Sequence, residues 1–197
     1  MFLLPSTLKN LMKQAYKSSG LKVARTEDDW IYLAGTYWEV SVKKDFIPKK
    51  TLGDIITLTG KLPEPGERFR ATEDGNSSEN LNLPYIVQVD GFNQENILTV
   101  TDVVLIGTAG TTQRLLQDED TGDIYVVNNV FASIVSNAAV DEEHGEYRVQ
   151  FPFFQKQRGI LWANNVCRLR ANFRSDEKNA KVLRGLRGVD ITPEVPE

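Results

Sequence analysis

Short segments rich in β-forming residues, separated by turn signals, constrain the fold of this chain more than any other feature. Three of them follow one another at residues 21–25, 30–33 and 37–43, with turn signals at Asp28-Asp29 and at Gly35. Runs of this length that contain β-branched and aromatic residues and are bounded by Gly or Asp are typical of strands. The spacing therefore predicts a three-stranded meander near the N-terminus.

Two segments with helical spacing flank this meander. The first lies between Ser6, which can cap a helix, and Gly20, which can end one. Its apolar face consists of Leu8, Leu11, Met12, Ala15 and Tyr16. The second lies between Pro48 and Gly60, and its predicted buried face consists of Leu52, Ile55, Ile56 and Thr59. We expect two amphipathic helices.

The second half of the chain continues the pattern of strands and turns. Further strands are predicted at residues 68–72, 85–89, 97–106, 113–117 and 124–127. Asn128 or Asn129 can then cap a short helix.

A long hairpin and a basic segment close the predicted fold. Residues 146–154 and 160–173 alternate well enough to predict two long strands with a turn at 155–159. A basic helix over 175–188 and a frayed tail follow. The predicted fold class is α+β and β-rich, with antiparallel sheets and two or three helices.

A polar stretch suggests how the chain divides. Residues 74–84 carry little that could be buried, so a linker is predicted there. The predicted domains are 1–73, with two helices around the meander, and 85–188, which is β-rich and ends in the basic tail. One continuous domain also fits a length of 197 residues. Strand, turn, strand and capped helix occur in the same order at 29–60 and 113–137, so two similar halves are a further alternative.

The opening of the chain resembles a known group of proteins. Residues 8–66 combine a helix, a Trp-containing hairpin and the LPEPGE turn that begins at Leu62. This combination is similar to small uncharacterised prophage proteins of Gram-positive bacteria. It covers the N-terminal third and brings no motif with an assigned role. The resemblance implies a phage accessory setting.

Charge and cysteine content limit the partners and the compartment. The formal net charge of -4 gives no general attraction to nucleic acid or to anionic membranes, so any such attraction must be local. Cys167 is the only cysteine, which excludes an intramolecular disulfide and favours a reducing compartment. The apolar run after Met1 is too short for a signal peptide, and no run approaches the roughly 18 residues that would span a bilayer. We expect a cytoplasmic protein with no membrane partner.

The strongest candidate site lies in residues 163–175, ANNVCRLRANFRS. In a strand, alternate side chains point to opposite faces, so one face here is apolar and the other carries hydrogen-bond donors. The donors are Arg168, Arg170, Asn172 and Arg174, with Asn164 further back. Guanidinium groups two residues apart stand roughly 6.6 Å apart, close to the phosphate spacing of a nucleotide strand, and each can bind a phosphate bidentately. The alternative is a solvated face whose arginines pair with carboxylates on the next strand.

Two aromatic residues complete the predicted site. Tyr37 and Phe154 are expected to face outward, because their neighbours Trp38 and Phe153 would take the inward positions, and an exposed ring can stack on a base. Cations are also concentrated here, since seven of the 23 Lys and Arg residues lie between 168 and 187. This asymmetry favours a negatively charged partner, small molecule or nucleic acid.

Catalytic motifs are missing from the sequence. His144 is the only histidine and lies in an acidic run, and no serine or cysteine has a base at a defining spacing. The loop at 103–112 lacks the glycine pattern of a dinucleotide or nucleoside-triphosphate site. We predict no enzymatic activity, no cofactor and no metal. A site built from carboxylates alone stays open, because the chain has 27 acidic residues.

Together these features predict a non-enzymatic phage accessory protein that binds a phosphate-bearing ligand. Sequestration of a nucleotide immune signal fits a chain built for affinity without turnover. A homo-oligomer is expected, since binders of this kind often form their pocket between subunits. The alternatives are a DNA-associated, clamp-like module, a virion or assembly interaction protein, and a hydrolase that uses carboxylates and Mg²⁺.

Overall fold

The predicted fold class is confirmed. The computed structural model describes residues 1–78, 87, 97–155, 158–173 and 177–194. Within these residues the chain forms four helices and eleven strands, and the strands lie in antiparallel sheets of eight and three strands. The protein is therefore α+β and β-rich.

The bounds of the elements follow the chain. The helices are α1 Pro5–Lys17, α2 Lys49–Thr59, α3 Asn129–Ser133 and α4 Ala180–Gly185. The strands are β1 Leu21–Arg25, β2 Trp30–Ala34, β3 Trp38–Lys43, β4 Arg68–Thr72, β5 Gly75–Ser77, β6 Leu98–Ile106, β7 Thr112–Asp118, β8 Ile124–Asn128, β9 Phe153–Gln155, β10 Gly159–Ala163 and β11 Cys167–Ala171. None of the helices in the described part of the chain is long and apolar enough to cross a membrane.

The chain forms two compact units, each built from separate stretches. Unit 1 contains Met1–Val89, Ser136–Val149 and Ala163–Arg170. Unit 2 contains Asp90–Val135, Gln150–Trp162 and Ala171–Glu197.

Unit 1 contains the predicted meander at the centre of a wider sheet. Six strands lie side by side in the order β5, β4, β1, β2, β3, β11. On one face the side chains are apolar and buried, because alternate residues of each strand share that face. This apolar face includes Val23, Leu33, Val40, Phe69, Cys167 and Leu169. Helix α1 contacts β1, β2 and β4, as well as α2.

Helix α1 differs from prediction at its N-terminus, and helix α2 differs in the face that it buries. Helix α1 begins at Pro5 with Leu4 as its N-cap, and no side chain caps it, so Ser6 does not play the predicted role. Helix α2 buries Thr51, Ile55 and Thr59, whereas Ile56 is exposed. The buried face of α2 therefore has a strict four-residue repeat, rotated from the predicted face.

Unit 2 contains the three-stranded sheet and the predicted hairpin. The sheet has the order β6, β7, β8, and Asn128 caps α3 by accepting a hydrogen bond from the Val130 amide at 3.1 Å. Strands β9 and β10 pair through Gly159 and Gln155. This pair brackets the predicted turn, but residues 146–152 form no strand, so the first predicted strand is shortened to β9.

The predicted strand at 160–173 is two strands, because the chain turns after β10. The Asn164 side chain accepts hydrogen bonds from the amides of Val166 at 3.0 Å and Cys167 at 2.7 Å, which stabilises a tight turn. Consequently the row of donors predicted for 164–174 does not lie on one continuous strand.

The described C-terminal residues differ from prediction in the length of the helix and in the contacts of the tail. The described helix there is only α4, preceded by a 3-10 turn at Glu177–Asn179. The buried side chain of Gln117 then donates to the Val189 carbonyl and accepts from the Ile191 amide, both at 2.9 Å. The residues after α4 are thus held within unit 2.

Candidate anion-binding site

The second face of the unit 1 sheet is polar and rich in cations. Residues that pair across antiparallel strands share a face, and the register links one polar row from β4 to β3. We call this surface the polar face. Its residues are Arg68 and Arg70 on β4, Lys22 and Ala24 on β1, Trp30, Tyr32 and Ala34 on β2, Glu39, Ser41 and Lys43 on β3, and Arg168 and Arg170 on β11. Glu39 is the single carboxylate among these twelve described residues, and six of them are cations.

The middle of the polar face is covered. Ala24, Tyr32 and Ser41 are each 1% exposed or less. Val87 lies over this part of the face, since its amide donates to the Ser41 hydroxyl at 2.7 Å. The cations that remain accessible are therefore found towards the sides of the face.

Arg168 has an environment that an isolated surface arginine would not have. One of its terminal nitrogens, Nη1, donates to the Val87 carbonyl at 3.0 Å, and the guanidinium carbon lies 4.8 Å from the ring centroid of Trp30. Its Nε is buried and has no hydrogen-bond partner among the residues that the structure describes. Partial burial lowers the pKa of Arg168, because desolvation disfavours its charge. The structure thus leaves a partly desolvated guanidinium with donor capacity unused.

Lys43 lies beside this arginine. Its Nζ is 5.8 Å from the same Trp30 ring, and the side chain is exposed. Both cations interact with one indole, and within the described residues no carboxylate is paired with either of them. We call Arg168, Lys43 and Trp30 the Arg168 corner.

Arg170 is in a different environment, although it is only two residues away. Its Nη1 donates to Glu39 at 2.9 Å, and its side chain is almost completely buried. Glu39 also accepts a hydrogen bond from the Tyr32 hydroxyl, and burial, followed by the charge of Glu39, raises the Tyr32 pKa well above its usual range. Arg170 therefore belongs to a structural ion pair, as the alternative interpretation of the sequence expected.

The Asn164 side chain makes all of its hydrogen bonds in and beside the turn before β11. Besides accepting the two amides of that turn, its side chain donates to Glu146 at 3.0 Å and to the Tyr147 carbonyl at 2.7 Å. Glu146 is itself completely buried and pairs with the α-ammonium of Met1 at 2.7 Å. Asn164 therefore supports the interior of unit 1 and is not aimed at the Arg168 corner.

Of the remaining predicted site residues, only Tyr37 belongs to the described part of unit 1, and it lies away from this corner. Tyr37 is 64% exposed, but it lies in the turn between β2 and β3, at the opposite end of these strands from Lys43. Phe154 and Asn172 belong to unit 2. Arg174 lies outside the described residues.

Phe154 is part of an aromatic cluster within unit 2. Its ring centroid is 4.5 Å from that of Tyr125 and 5.2 Å from that of Phe173. Phe154 and its neighbour Phe153 are both half-buried, so the expected division into one inward and one outward ring is not seen. The carboxylates of Asp123 and Asp118 add to burial in raising the pKa of Tyr125, which makes the surroundings unfavourable for a phosphate.

The residues that were considered for chemistry have ordinary structural surroundings. His144 is exposed, and its Nδ1 is 2.8 Å from Asp141. Cys167 is completely buried, which raises the pKa of its thiol and keeps it protonated. Residues 108–110 form a 3-10 turn between β6 and β7.

Unit 2 has one notable cleft, of about 560 Å³, beside the turn between β7 and β8. Carboxylates from Asp118, Glu119, Asp120 and Asp190 line it. Asp118 is occupied by the amides of Asp120 and Thr121, and no group of three or more metal-ligating side chains occurs in the described part of the chain. The cleft is therefore a poor place for a phosphate.

Sequence reasoning missed Lys43 and Trp30 as parts of the site. The signal was present in the predicted meander, because a tight hairpin between 30–33 and 37–43 places Trp30 opposite Lys43. Their proximity to Arg168 depends on the pairing of β11 next to β3, which no local pattern indicates.

Comparison of the chain with protein-family models, with curated proteins and with solved structures gives no match.

Proposed function

We propose that the protein binds a phosphate-bearing ligand at the Arg168 corner and does not turn it over. The observation that carries this proposal is the buried Nε of Arg168, which has no acceptor while the guanidinium has no carboxylate partner within the described residues. A buried donor without an acceptor costs about 1–3 kcal/mol, and more when it is charged. An anion that accepts from this group would recover that cost.

The shape of the guanidinium supports a phosphate as the anion. Nη1 is engaged by Val87, whereas Nε lies with Nη2 on the other side of the planar group. Two donors on one edge match two oxygens of a phosphate in a bidentate contact. Exposed Lys43 supplies a second positive charge at the same corner.

The proposed recognition is directed at phosphate and not at a base. The face of Trp30 is in contact with two cations and the residue is only 5% exposed, so its ring offers no free surface for stacking. The predicted stacking residue Tyr37 lies at the opposite end of β2 and β3 from this corner, and Phe154 belongs to unit 2. We therefore expect weak discrimination between nucleobases and strong dependence on the phosphate charge.

The biological setting remains part of the proposal. The resemblance of the N-terminal third to prophage proteins supports a phage accessory role, and a nucleotide immune signal is the ligand class that such a protein would sequester. Non-enzymatic binding is supported by the complete burial of Cys167, which leaves its thiol unavailable as a nucleophile. A homo-oligomer is also proposed, because binders of this kind often form their pocket between subunits.

Calorimetric titration tests the proposal directly. The ligands are a nucleoside monophosphate, a cyclic dinucleotide, inorganic phosphate and the unphosphorylated nucleoside, with duplex DNA over a range of salt concentrations as a separate arm. We expect Arg168→Ala to weaken phosphate-ligand binding by about 10- to 100-fold, since hydrogen bonds to charged groups contribute about 1.5–3 kcal/mol. Arg168→Lys should retain only part of the affinity, because it keeps the charge and loses the bidentate edge.

Arg148→Ala is the matched control, because Arg148 is an exposed arginine of unit 1 that pairs with Glu142. It should leave binding unchanged. Native mass spectrometry of protein purified from phage-defended cells would report retained nucleotide and subunit number together. Equal affinity for nucleoside and nucleotide, or an undiminished affinity in Arg168→Ala, would contradict the proposal. A steep salt dependence with duplex DNA and no binding of free nucleotides would favour the DNA-associated alternative.

A further inference from the structure

We infer that the polar face carries a second phosphate site, formed by Lys22 and Arg70, which is independent of the Arg168 corner. Lys22 on β1 is directly paired with Arg70 on β4 in the antiparallel register. Directly paired residues that share a face have their Cβ atoms about 4.5–5.5 Å apart. The two cationic side chains therefore start from neighbouring points on the same surface.

Two like charges in this position are unfavourable without an anion. Cross-strand pairs of like charge are destabilising, and the described residues provide neither Lys22 nor Arg70 with a hydrogen bond or a carboxylate. Glu39, the single carboxylate of the polar face, is engaged by Arg170 and Tyr32. The surface thus concentrates positive charge at a point where a phosphate would reduce the repulsion.

The stem of Arg70 is fitted to the backbone beneath it. A Cβ atom placed on Gly20, which has a φ of +87°, would stand 2.6 Å from Cγ and 2.7 Å from Cδ of Arg70. The methylene groups therefore lie against the glycine backbone, and the guanidinium remains exposed. This contact restricts the stem of Arg70, so less conformational entropy is lost when its guanidinium binds an anion.

A hydroxyl extends the same row. Ser77 on β5 is paired with Arg70 and is exposed. Lys22, Arg70 and Ser77 thus present an ammonium, a guanidinium and a hydroxyl on three adjacent strands. These are donor types that bind phosphate oxygens in proteins.

The second site is separated from the first by the covered middle of the face. Two strands, β2 and β3, lie between β1 and β11, which separates Lys22 and Arg168 by roughly 14 Å across the strands alone. Between them, Tyr32 and Ser41 are buried. The two sites should therefore bind phosphate without competing, so that failure of one does not imply failure of the other.

Nuclear magnetic resonance titration with inorganic phosphate tests this inference on the full chain. We expect saturable shifts of the backbone amides of Lys22, Arg70 and Ser77, and a separate set of shifts around Lys43 and Arg168. The double variant Lys22→Gln/Arg70→Gln should weaken binding at the first set at least tenfold and change binding at the second less than twofold. Arg168→Ala should do the reverse.

Lys13→Gln/Lys17→Gln is the control, because it removes two exposed lysines of α1 and therefore changes the net charge as much as the double variant does. The double variant is expected to fold, since it removes a repulsion, and its unfolding temperature without phosphate should equal or exceed that of the wild type. A short single-stranded oligonucleotide in place of phosphate distinguishes the sources: tighter binding per phosphate group indicates a nucleic-acid backbone, and equal binding indicates a free phosphate or nucleotide.

The inference is overturned if the amides of Lys22, Arg70 and Ser77 show no saturable shift, or if the shifts persist unchanged in the double variant. It is equally overturned if phosphate raises the unfolding temperature of wild type and double variant by the same amount in an Arg168→Ala background, because a site that binds the folded state must stabilise it.

Discussion

Neighbouring residues decide what each arginine of β11 does. Arg168 and Arg170 project from the same face of one strand, yet Arg170 meets Glu39 and Tyr32 while Arg168 meets the Trp30 ring and a carbonyl oxygen. The charge of Arg170 is neutralised by Glu39, whereas Arg168 has no carboxylate partner among the described residues. The predicted row of equivalent phosphate donors is thus replaced by one structural arginine and one candidate ligand-binding arginine.

This difference predicts opposite effects on stability. Arg170→Ala should lower the free energy of unfolding by about 2 kcal/mol, because Glu39 loses its partner; a fully buried pair would cost about 3–5 kcal/mol, but Glu39 is partly hydrated. Arg168→Ala should change it by less than about 0.5 kcal/mol, because the same substitution removes an unsatisfied buried donor. Urea unfolding followed by tryptophan fluorescence measures both.

The second substitution Glu39→Gln should recover part of the stability of Arg170→Ala, since it removes the unpaired charge. Arg148→Ala serves as the control, with an expected loss below about 1 kcal/mol for an exposed pair. An Arg170→Ala variant that keeps its stability and loses phosphate binding would return Arg170 to the role that the sequence predicted for it.

At the scale of elements, strand β7 holds the C-terminal segment through two buried amide side chains. Gln113 and Gln117 lie on the same face of β7, since they are four residues apart in a strand. Gln113 accepts a hydrogen bond from Asn179 at 2.9 Å, and Gln117 contacts the backbone of Val189 and Ile191. Residues on both sides of α4 are therefore anchored to β7, including Val189 and Ile191 of the tail that the sequence predicts to fray.

Removing one of these anchors should release the segment. Gln117→Ala is expected to increase the hydrogen-exchange rate of the Ile191 amide at least tenfold, because that amide loses its acceptor. The cost in free energy of unfolding should be about 1–2 kcal/mol, typical of losing buried hydrogen bonds. Gln150→Ala, at an exposed position, is the control. Unchanged protection at Ile191 would show that packing and not Gln117 holds the segment.

At the scale of the whole molecule, each unit needs parts of the chain that are far apart in sequence. In unit 1 the buried α-ammonium of Met1 pairs with Glu146, and β11 supplies Cys167 and Leu169 to the apolar face. The predicted division into residues 1–73 and 85–188 remains a hypothesis about how the chain divides. The contacts of unit 1 allow a prediction about whether its N-terminal residues can fold without the rest of the chain.

We predict that a fragment of residues 1–78 does not fold. It would keep the meander and both long helices, but it would leave the Met1 ammonium without Glu146 and the apolar face without β11. A buried charge without its partner is strongly destabilising. The amide spectrum of the fragment should be poorly dispersed beside that of the full chain. A dispersed spectrum with cooperative unfolding would instead support an autonomous N-terminal domain.

The local elements could be predicted from the sequence because their signals are local. The meander, the two helices, the strand β4, the sheet strands of unit 2 and the Asn128 cap follow from alternation, helical spacing, and the placement of Gly and Asn. The exceptions are informative: Ile56 is exposed although it fits the helical pattern, and Asn164 breaks a long alternating run. The Asn164 side chain is used by a turn, and the alternation of apolar and polar residues cannot indicate such a turn.

By itself, the sequence determined the α+β class and the alternation that separates an apolar face from a cationic one, because both depend on the period of a strand or helix. Only the tertiary structure decided which cations keep a free charge. Pairing β11 with β3 brought Arg170 to Glu39 and Arg168 to Trp30, and pairing β4 with β1 brought Arg70 to Lys22. The physical reason is that the fate of a charge depends on the solvent and the charges within a few ångströms of it, and strand order sets those neighbours.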